Sequence, residues 1–343
     1  MRLSPFRSGS EGATPAAEAL PEIDALTRAN RGDRSAATEE RLVDLRHRAF
    51  AELGGDPSPQ PDPEPVPAGA SPEDDGMPAI RASELTPGRL AGAIASHGAV
   101  IVRGLIDPSE AGELVAGIDR AFDAQAAAAA GAPPSETTPW YREFVPSDDA
   151  APAVSIGRGF LTSGSGVMTS DSPRMLFDLL ETFDRTGLRE VITGYLGERP
   201  ALSVNKGTLR RAKPDVGTAW WHQDGAFLGR DIRAINVWLS LTPSGVDAPG
   251  MELVPKRLDG IVETGTKGAD FDWSVGDEVV ADAAAGPFAW PEFEAGDALL
   301  FDHLCLHRTA VNEAMTKTRY ATETWFFAPS AYPNPLEQVP LAY

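Results

Sequence analysis

Two short stretches of this chain carry the residue types from which a metal centre can be built. The first, WWHQDGAFLG, sets His222 and Asp224 two residues apart. The second, GDALLFDHLCLHRTAVNEAMTKTRY, supplies His303, His307, Thr309 and Arg319. Three of the five histidines in the chain fall in these stretches, so the residue type is concentrated where a metal would need it. Two imidazoles and one carboxylate are the facial triad of non-haem Fe(II) oxygenases, which leaves the opposite metal positions open. Strand alternation would turn His222 and Asp224 to one face and Gln223 to the other. A His-x-Asp pair on its own is common by chance, and its bland reading is a histidine bonded to an aspartate at a turn. The second imidazole is His303 or His307. His307 is favoured because Thr309 lies two residues on, on the same strand face, which leaves His303 as a polar residue at the rim. Arg319 opens the run RYATETWFF, which is expected to pair antiparallel beside the His307 strand. Its planar guanidinium could take the far carboxylate of 2-oxoglutarate through two parallel hydrogen bonds, with a neighbouring hydroxyl adding a third.

The elements that must position these residues can be read on either side of them. SELTPGRLAGAIASHG predicts a helix with a Ser/Thr cap, ended by Gly98. AVIVRGLI reads as a buried strand, and DPSEAGELVAGIDRAFDAQ as a helix with Leu114, Ile118 and Phe122 on one face. Between Ala126 and Gly166 periodicity is low; YREFVP and VSIGRGF hint at strands, and a segment this long is expected to be a lid or binding segment. A helical pair broken near Gly187 follows. From Ala201 the pattern changes to short β runs with Gly/Pro punctuation: ALSVNKGTLRR, RAINVWLSLTP, GMELVP, DALLFDHLCLH and RYATETWFFAP. The expected fold class is mainly β with flanking helices, a jelly-roll or cupin-like barrel. Residues 1–77 read as an acidic, Pro-rich, largely disordered extension with one helix between Thr38 and Leu53, and residues 78–343 as the folded domain.

Taken together, WHQDG, NVWLSL, GMELVP, GDALLFDHLCLHRTAVN and the following arginine resemble the phytanoyl-CoA dioxygenase (PhyH-like) family over roughly residues 80–330. The resemblance implies a double-stranded β-helix, with Fe(II) held by His222, Asp224 and His307. It further implies 2-oxoglutarate bound through Thr309 and Arg319, Trp238 lining that pocket, and O2 as the oxidant. Asn236 shares a strand face with Trp238 and is a further pocket candidate. Lys206 and Thr208 are candidates for the upstream co-substrate contacts. Related halogenases have a small residue in place of the carboxylate, so Asp224 argues for hydroxylation or another oxidation. The presence of two histidines in FDHLCLH, where the family pattern has one, is a departure.

Substrate choice is expected from residues around the triad. Phe227 and Leu228 follow the His-x-Asp turn; Trp220, Trp221 and Met251 could supply apolar wall; Arg210 and Arg211 could hold an anionic group. Each of these has an ordinary reading too, as core packing or a solvated pair. A net charge of −20 disfavours nucleic acid and makes an acyl-CoA substrate less suitable. One cysteine, Cys305, excludes an intrachain disulfide and a cysteine metal cluster, which fits a cytoplasmic protein. No run approaches the roughly 18 apolar residues of a membrane span. A homodimer is compatible with these features. The reading is an Fe(II)/2-oxoglutarate-dependent dioxygenase oxidising a small organic molecule. Its alternatives are a non-catalytic jelly-roll binding module and a cupin-like metal enzyme that does not use 2-oxoglutarate.

Overall fold

In the computed structural model the described residues are 19–53, 62–69, 71, 74–146, 149–284 and 286–343. The chain runs α1 (Ala19–Gly32), α2 (Ala36–Leu53), β1 (Ala79–Arg81), α3 (Pro87–His97), β2 (Ala99–Arg103), α4 (Pro108–Ala129), α5 (Pro134–Thr137) and α6 (Ala151–Ser163). It continues with β3 (Gly166–Met168), α7 (Pro173–Arg185), α8 (Leu188–Leu196), β4 (Ala201–Ala212), α9 (Gly225–Leu228), β5 (Ala234–Ser240) and β6 (Gly250–Leu253). The last elements are α10 (Asp277–Ala284), β7 (Ala298–Phe301), β8 (His307–Ala310), β9 (Arg319–Phe327) and β10 (Pro340–Ala342).

An eight-stranded sheet in the order β1-β2-β7-β5-β9-β4-β10, with β3 also on β4, forms one wall. The pair β6-β8 forms the opposing wall. Only β1 and β2 run parallel; the other pairs are antiparallel. Side-chain alternation divides the large sheet between two cores. From β5, Ile235, Val237 and Leu239 join Leu90, Ile118, Leu179 and Phe183 of the helices on the outer face. Ala234 and Trp238 of the same strand face inward with Leu299, Phe301, Trp325 and Phe327, against Met251 and Leu253 of the small sheet. Both faces are covered, so β5 reads as a nearly continuous apolar run. Asn236 and Ser240 interrupt it on the inner face. This is the expected jelly-roll architecture with flanking helices. No helix among the described residues is long and apolar enough to cross a membrane.

Local chemistry explains the boundaries of α3. Thr86 accepts from the Arg89 N–H, Pro87 occupies the first turn, and Gly98 ends the helix at φ 76° in the left-handed region.

Four expectations differ from the structure. VSIGRGF lies in α6, a helix, and YREFVP forms no strand; helical pairing of Val154 and Leu161 toward the core outweighs their strand preference. DALLFDHLCLH is not one run. Asp302 accepts from the Leu304 N–H, and its carbonyl accepts from Cys305, which turns the chain from β7 in the large sheet to β8 in the small one. Consequently β9 does not lie beside β8; it pairs with β4 and β5. Within 1–77, residues 1–18, 54–61, 70, 72 and 73 lie outside the described residues. Residues 19–53, where one helix is expected, form two, and these are built into the fold.

Ile23, Leu42, Val43, Leu45 and Ala49 of α1 and α2 belong to the outer core. Arg46 donates to the Ala342 carbonyl at 2.7 Å, and His47 to that of Pro340 at 3.0 Å. Arg174 of α7 donates to Glu39 at 2.8 Å. A fully buried leucine in such a setting costs about 2–5 kcal/mol when truncated. Leu42→Ala is therefore expected to lower global stability by that amount in urea unfolding, in one transition shared with the β core. A separate early transition, or no change, would show that α2 is a detachable appendage.

Candidate metal and co-substrate site

His222, Asp224 and His307 converge: one ligand atom from each lies within 4.8 Å of the others, the one such cluster of three among the described residues. Backbone pairing produces this. His222 N–H donates to the His307 carbonyl at 3.1 Å, and His307 N–H returns the bond at 3.0 Å, an isolated antiparallel bridge. The imidazole centroids are 4.4 Å apart. Asp224 directly precedes α9 and makes no side-chain cap bond, so a tight turn rather than a continued strand brings its carboxylate to within 3.9 Å of His307 Nε2. Gln223 does turn away. Its amide donates to the carbonyls of Gly260 and Leu304 and accepts from Val262 N–H, fixing the two loops behind the turn. Gly225 has no room for a side chain: a Cβ there would stand 2.5 Å from Ile261 and 3.0 Å from the His303 carbonyl.

The tautomers follow from the partners. Nδ1 of His222 lies 2.8 Å from the Trp220 carbonyl, and Nδ1 of His307 lies 3.0 Å from that of Cys305. A carbonyl can only accept, so each Nδ1 carries the proton and each Nε2 presents a lone pair to the cluster. Burial, reinforced by His307, pulls the His222 pKa down to about 4. That ring is neutral and able to ligate at any pH near 7.

His303 sits close by without joining the cluster. Its Nε2 donates to the Arg230 carbonyl at 3.3 Å, and Nδ1 has no partner among the described residues. The turn that separates β7 from β8 holds it behind Gly225 rather than beside His307. Burial lowers its pKa.

Arg319 lies on the opposite wall, 3% exposed. It donates to the Gly250 carbonyl at 3.2 Å and reaches Thr309 Oγ1 at 3.5 Å, bridging the two sheets. Its Nε–H has no partner among the described residues. Burial draws its pKa down to about 10, so it stays cationic at neutral pH. Among the described residues no carboxylate is hydrogen-bonded to it, which leaves the buried guanidinium able to take an anion. Trp238 covers it at 5.5 Å and packs on Phe293.

The remaining candidates separate clearly. Asn236 is fully buried on the inner face, with both amide atoms unpartnered among the described residues. Met251 lies opposite Thr309 in the small sheet and Leu228 in the inner core. Phe227 is half-buried, with its ring 6.3 Å from His222. Arg210 pairs with Glu323 at 3.6 Å and donates to the Gly164 carbonyl. Arg211 faces the other way, bonded to Asp119 and stacked on Phe122, so it is away from the cluster. Trp221 also points elsewhere, into a separate cluster with Val254 and Leu306. Lys206 comes closer than its sequence position indicates: its ammonium is 3.8 Å from Asp224 and 3.8 Å above the Phe227 ring. A shift of register in β4 between Leu202 and Gly207 accompanies that placement, and burial lowers the Lys206 pKa against the pull of Asp224. Thr208 is buried opposite Glu323. Glu323 was legible in RYATETWFF, since alternation sets it on the face of Arg319. Phe271 and Trp273 lie in an aperiodic loop and carry no such signal.

The residues present fit a divalent metal with nitrogen and carboxylate ligands, and a diacid anchored behind it. The phytanoyl-CoA dioxygenase (PhyH) family model matches residues 203–319, the span that contains all three cluster residues, Thr309 and Arg319. No curated protein matches the chain. Among solved structures, EctD from S. alaskensis with 2-oxoglutarate and 5-hydroxyectoine is 15% identical, covering 81% of this chain and 86% of that one at a TM-score of 0.50. AviO1 from Streptomyces viridochromogenes Tue57 is 16% identical over 73% of this chain and 99% of that one, TM-score 0.45. EvdO2 from Micromonospora carbonacea var. aurantiaca, complexed with 2-oxoglutarate, is 19% identical over 72% and 94%, TM-score 0.45. At 15% identity the likeness to EctD speaks for the fold alone. The family match thus lies across the whole cluster, and in residues 203–319 the chain is similar to the phytanoyl-CoA dioxygenase (PhyH) family of Fe(II)/2-oxoglutarate-dependent oxygenases.

Proposed function

We propose that the protein hydroxylates a small organic molecule, with His222, Asp224 and His307 as the iron ligands and Arg319 and Thr309 as the anchor for 2-oxoglutarate. The observation that carries this is the pairing of the three-residue cluster with a buried, carboxylate-free arginine on the facing wall. Thr309 is two residues along β8 from His307, a step of about 7 Å on a strand. That is the reach a five-carbon diacid needs to chelate a metal at one end and meet a guanidinium at the other.

Bound Fe(II), 2-oxoglutarate and O2 supply oxidative decarboxylation to succinate and CO2, with the second oxygen atom going to a substrate C–H to give an alcohol. The chain's own work is positional. The carbonyls of Trp220 and Cys305 fix the imidazole tautomers so that Nε2 faces the metal. Asp224 contributes one negative charge and one oxygen ligand, and Lys206 at 3.8 Å orients that carboxylate. Trp238 shields the Arg319 guanidinium from water, which strengthens its grip on a carboxylate. The free amide of Asn236 is placed to satisfy the polar end of the co-substrate or a water beside it. The cytoplasmic setting expected from the single, buried cysteine belongs to the same reading.

Anaerobic addition of Fe(II) and then 2-oxoglutarate tests this: a visible charge-transfer absorption should form, and admitting O2 should release succinate. No absorption and no succinate would overturn it. Thr309→Val removes the hydroxyl while keeping the shape, so one hydrogen bond to the carboxylate is lost. It is expected to raise the 2-oxoglutarate KM about five- to tenfold, at a cost of about 1 kcal/mol, with kcat little changed.

A further inference from the structure

Four aromatic rings stand beside the cluster: Phe227, which packs against the inner core, and Trp273, Phe271 and Trp220, which belong to none of the cores. Phe227 sits 6.3 Å from His222 with planes 26° apart. Trp273 meets His222 at 5.8 Å and Phe227 at 6.0 Å, perpendicular to both. Phe271 stacks on Trp273 at 5.2 Å and 6°, and Trp220 stands edge-on to Phe271 at 4.7 Å. Trp220 is 44% exposed and Phe271 43%, while Phe227 and Trp273 are half-buried. Core packing would have hidden these rings. Contiguous apolar surface left in water beside a reactive centre is the mark of a binding site.

The row is held in place rather than left to collapse. Ser274 bridges the backbone of His222, and Val275 N–H donates to the Trp221 carbonyl at 2.8 Å. Gly265 N–H donates to the Ser274 carbonyl, and the Ser274 hydroxyl ties both the N–H and the carbonyl of Phe271. The Trp220 indole N–H donates to the Asp270 carboxylate. Rings fixed in advance lose little freedom when a ligand arrives.

We propose that this row is the substrate wall, and that the substrate presents a flat aromatic or conjugated ring system to it beside His222. The proposal rests on the oxygenase reading above and names its substrate class. Parallel and perpendicular rings together offer faces and edges, the two geometries in which aromatic pairs gain more than their buried area alone provides. An alkyl chain gains only the area. A saccharide needs several free polar partners, whereas the Trp220 indole N–H is engaged with Asp270 and the Lys206 ammonium above Phe227 lies 3.8 Å from Asp224.

The test uses the full chain with Fe(II) and 2-oxoglutarate under anaerobic conditions, with 2-naphthol, decanoate and maltose as probes. Calorimetry should show 2-naphthol binding at least tenfold tighter than either other probe, with a shift of the charge-transfer absorption. Trp273→Ala should weaken 2-naphthol about fivefold or more, and Trp273→Phe should restore most of it, while the unshifted absorption reports a folded metal site in both. Tighter binding of decanoate or maltose, or an unchanged 2-naphthol affinity in Trp273→Ala, would overturn the proposal. Should the absorption never form in the wild type, the oxygenase reading fails by itself, and the 2-naphthol calorimetry still decides the wall.

Discussion

His307→Ala protein is expected to bind Fe(II) at least about a hundredfold more weakly than wild type and to release no measurable succinate, whereas His303→Ala keeps both properties. Disturbing only the groups that orient a metal ligand costs about 10–100-fold in affinity or activity. Removing the ligand itself takes away a metal bond and one corner of the three-residue cluster, so its effect should exceed that range. The contrast with His303 makes the test specific. Both histidines are buried, both sit in FDHLCLH, and both bond to a backbone carbonyl. His303 spends its Nε2 proton on Arg230, whereas His307 turns Nε2 toward Asp224. His303→Ala should therefore show up in stability, as about 1–2 kcal/mol for the lost hydrogen bond and its stranded carbonyl. Anaerobic Fe(II) titration and urea unfolding of both variants read the two effects separately. Iron binding retained in His307→Ala and lost in His303→Ala would reverse the ligand assignment.

The second large effect belongs to Arg319. In Arg319→Ala the affinity for 2-oxoglutarate should fall at least about a hundredfold, read by titrating the charge-transfer absorption. Hydrogen bonds to charged groups are each worth about 1.5–3 kcal/mol, and a guanidinium offers two of them to one carboxylate. Arg319→Lys should recover only part of the loss, because an ammonium keeps the charge without the fork. Stability supplies an independent readout. Arg319→Ala also loses the bonds to Gly250 and Thr309 that bridge the sheets, so the readout is the gain in stability each protein shows over its own apo form. With 2-oxoglutarate at about a hundred times its Kd, the wild type gains about 2.7 kcal/mol by linkage. The variant should lose that gain. If it keeps both affinity and stabilisation, the anchor lies elsewhere. Full turnover in Arg319→Ala would favour a metal enzyme that does not use 2-oxoglutarate.

Part of the candidate site was readable from the chain alone because strand alternation is a local rule. His307 and Thr309 share a face two residues apart whatever β8 pairs with, and Asn236 and Trp238 share one in β5. The cap and stop of α3 were equally local, resting on Thr86, Pro87 and Gly98. Which wall a strand joins is not local. The turn at Asp302 decided that His307 crosses to the small sheet while His303 stays behind, so that Arg319 meets Thr309 from the facing sheet instead of from a neighbouring strand. Long-range packing likewise drew α1 and α2 into the core and stood Lys206 over Phe227 beside Asp224. It brought Phe271 and Trp273, from a loop with no period to read, against Trp220. Sequence thus determined which groups could do the chemistry, because residue type and two-residue spacing are intrinsic to the chain. Tertiary structure decided which of them meet, because contact between distant segments depends on pairing and burial that no local pattern encodes.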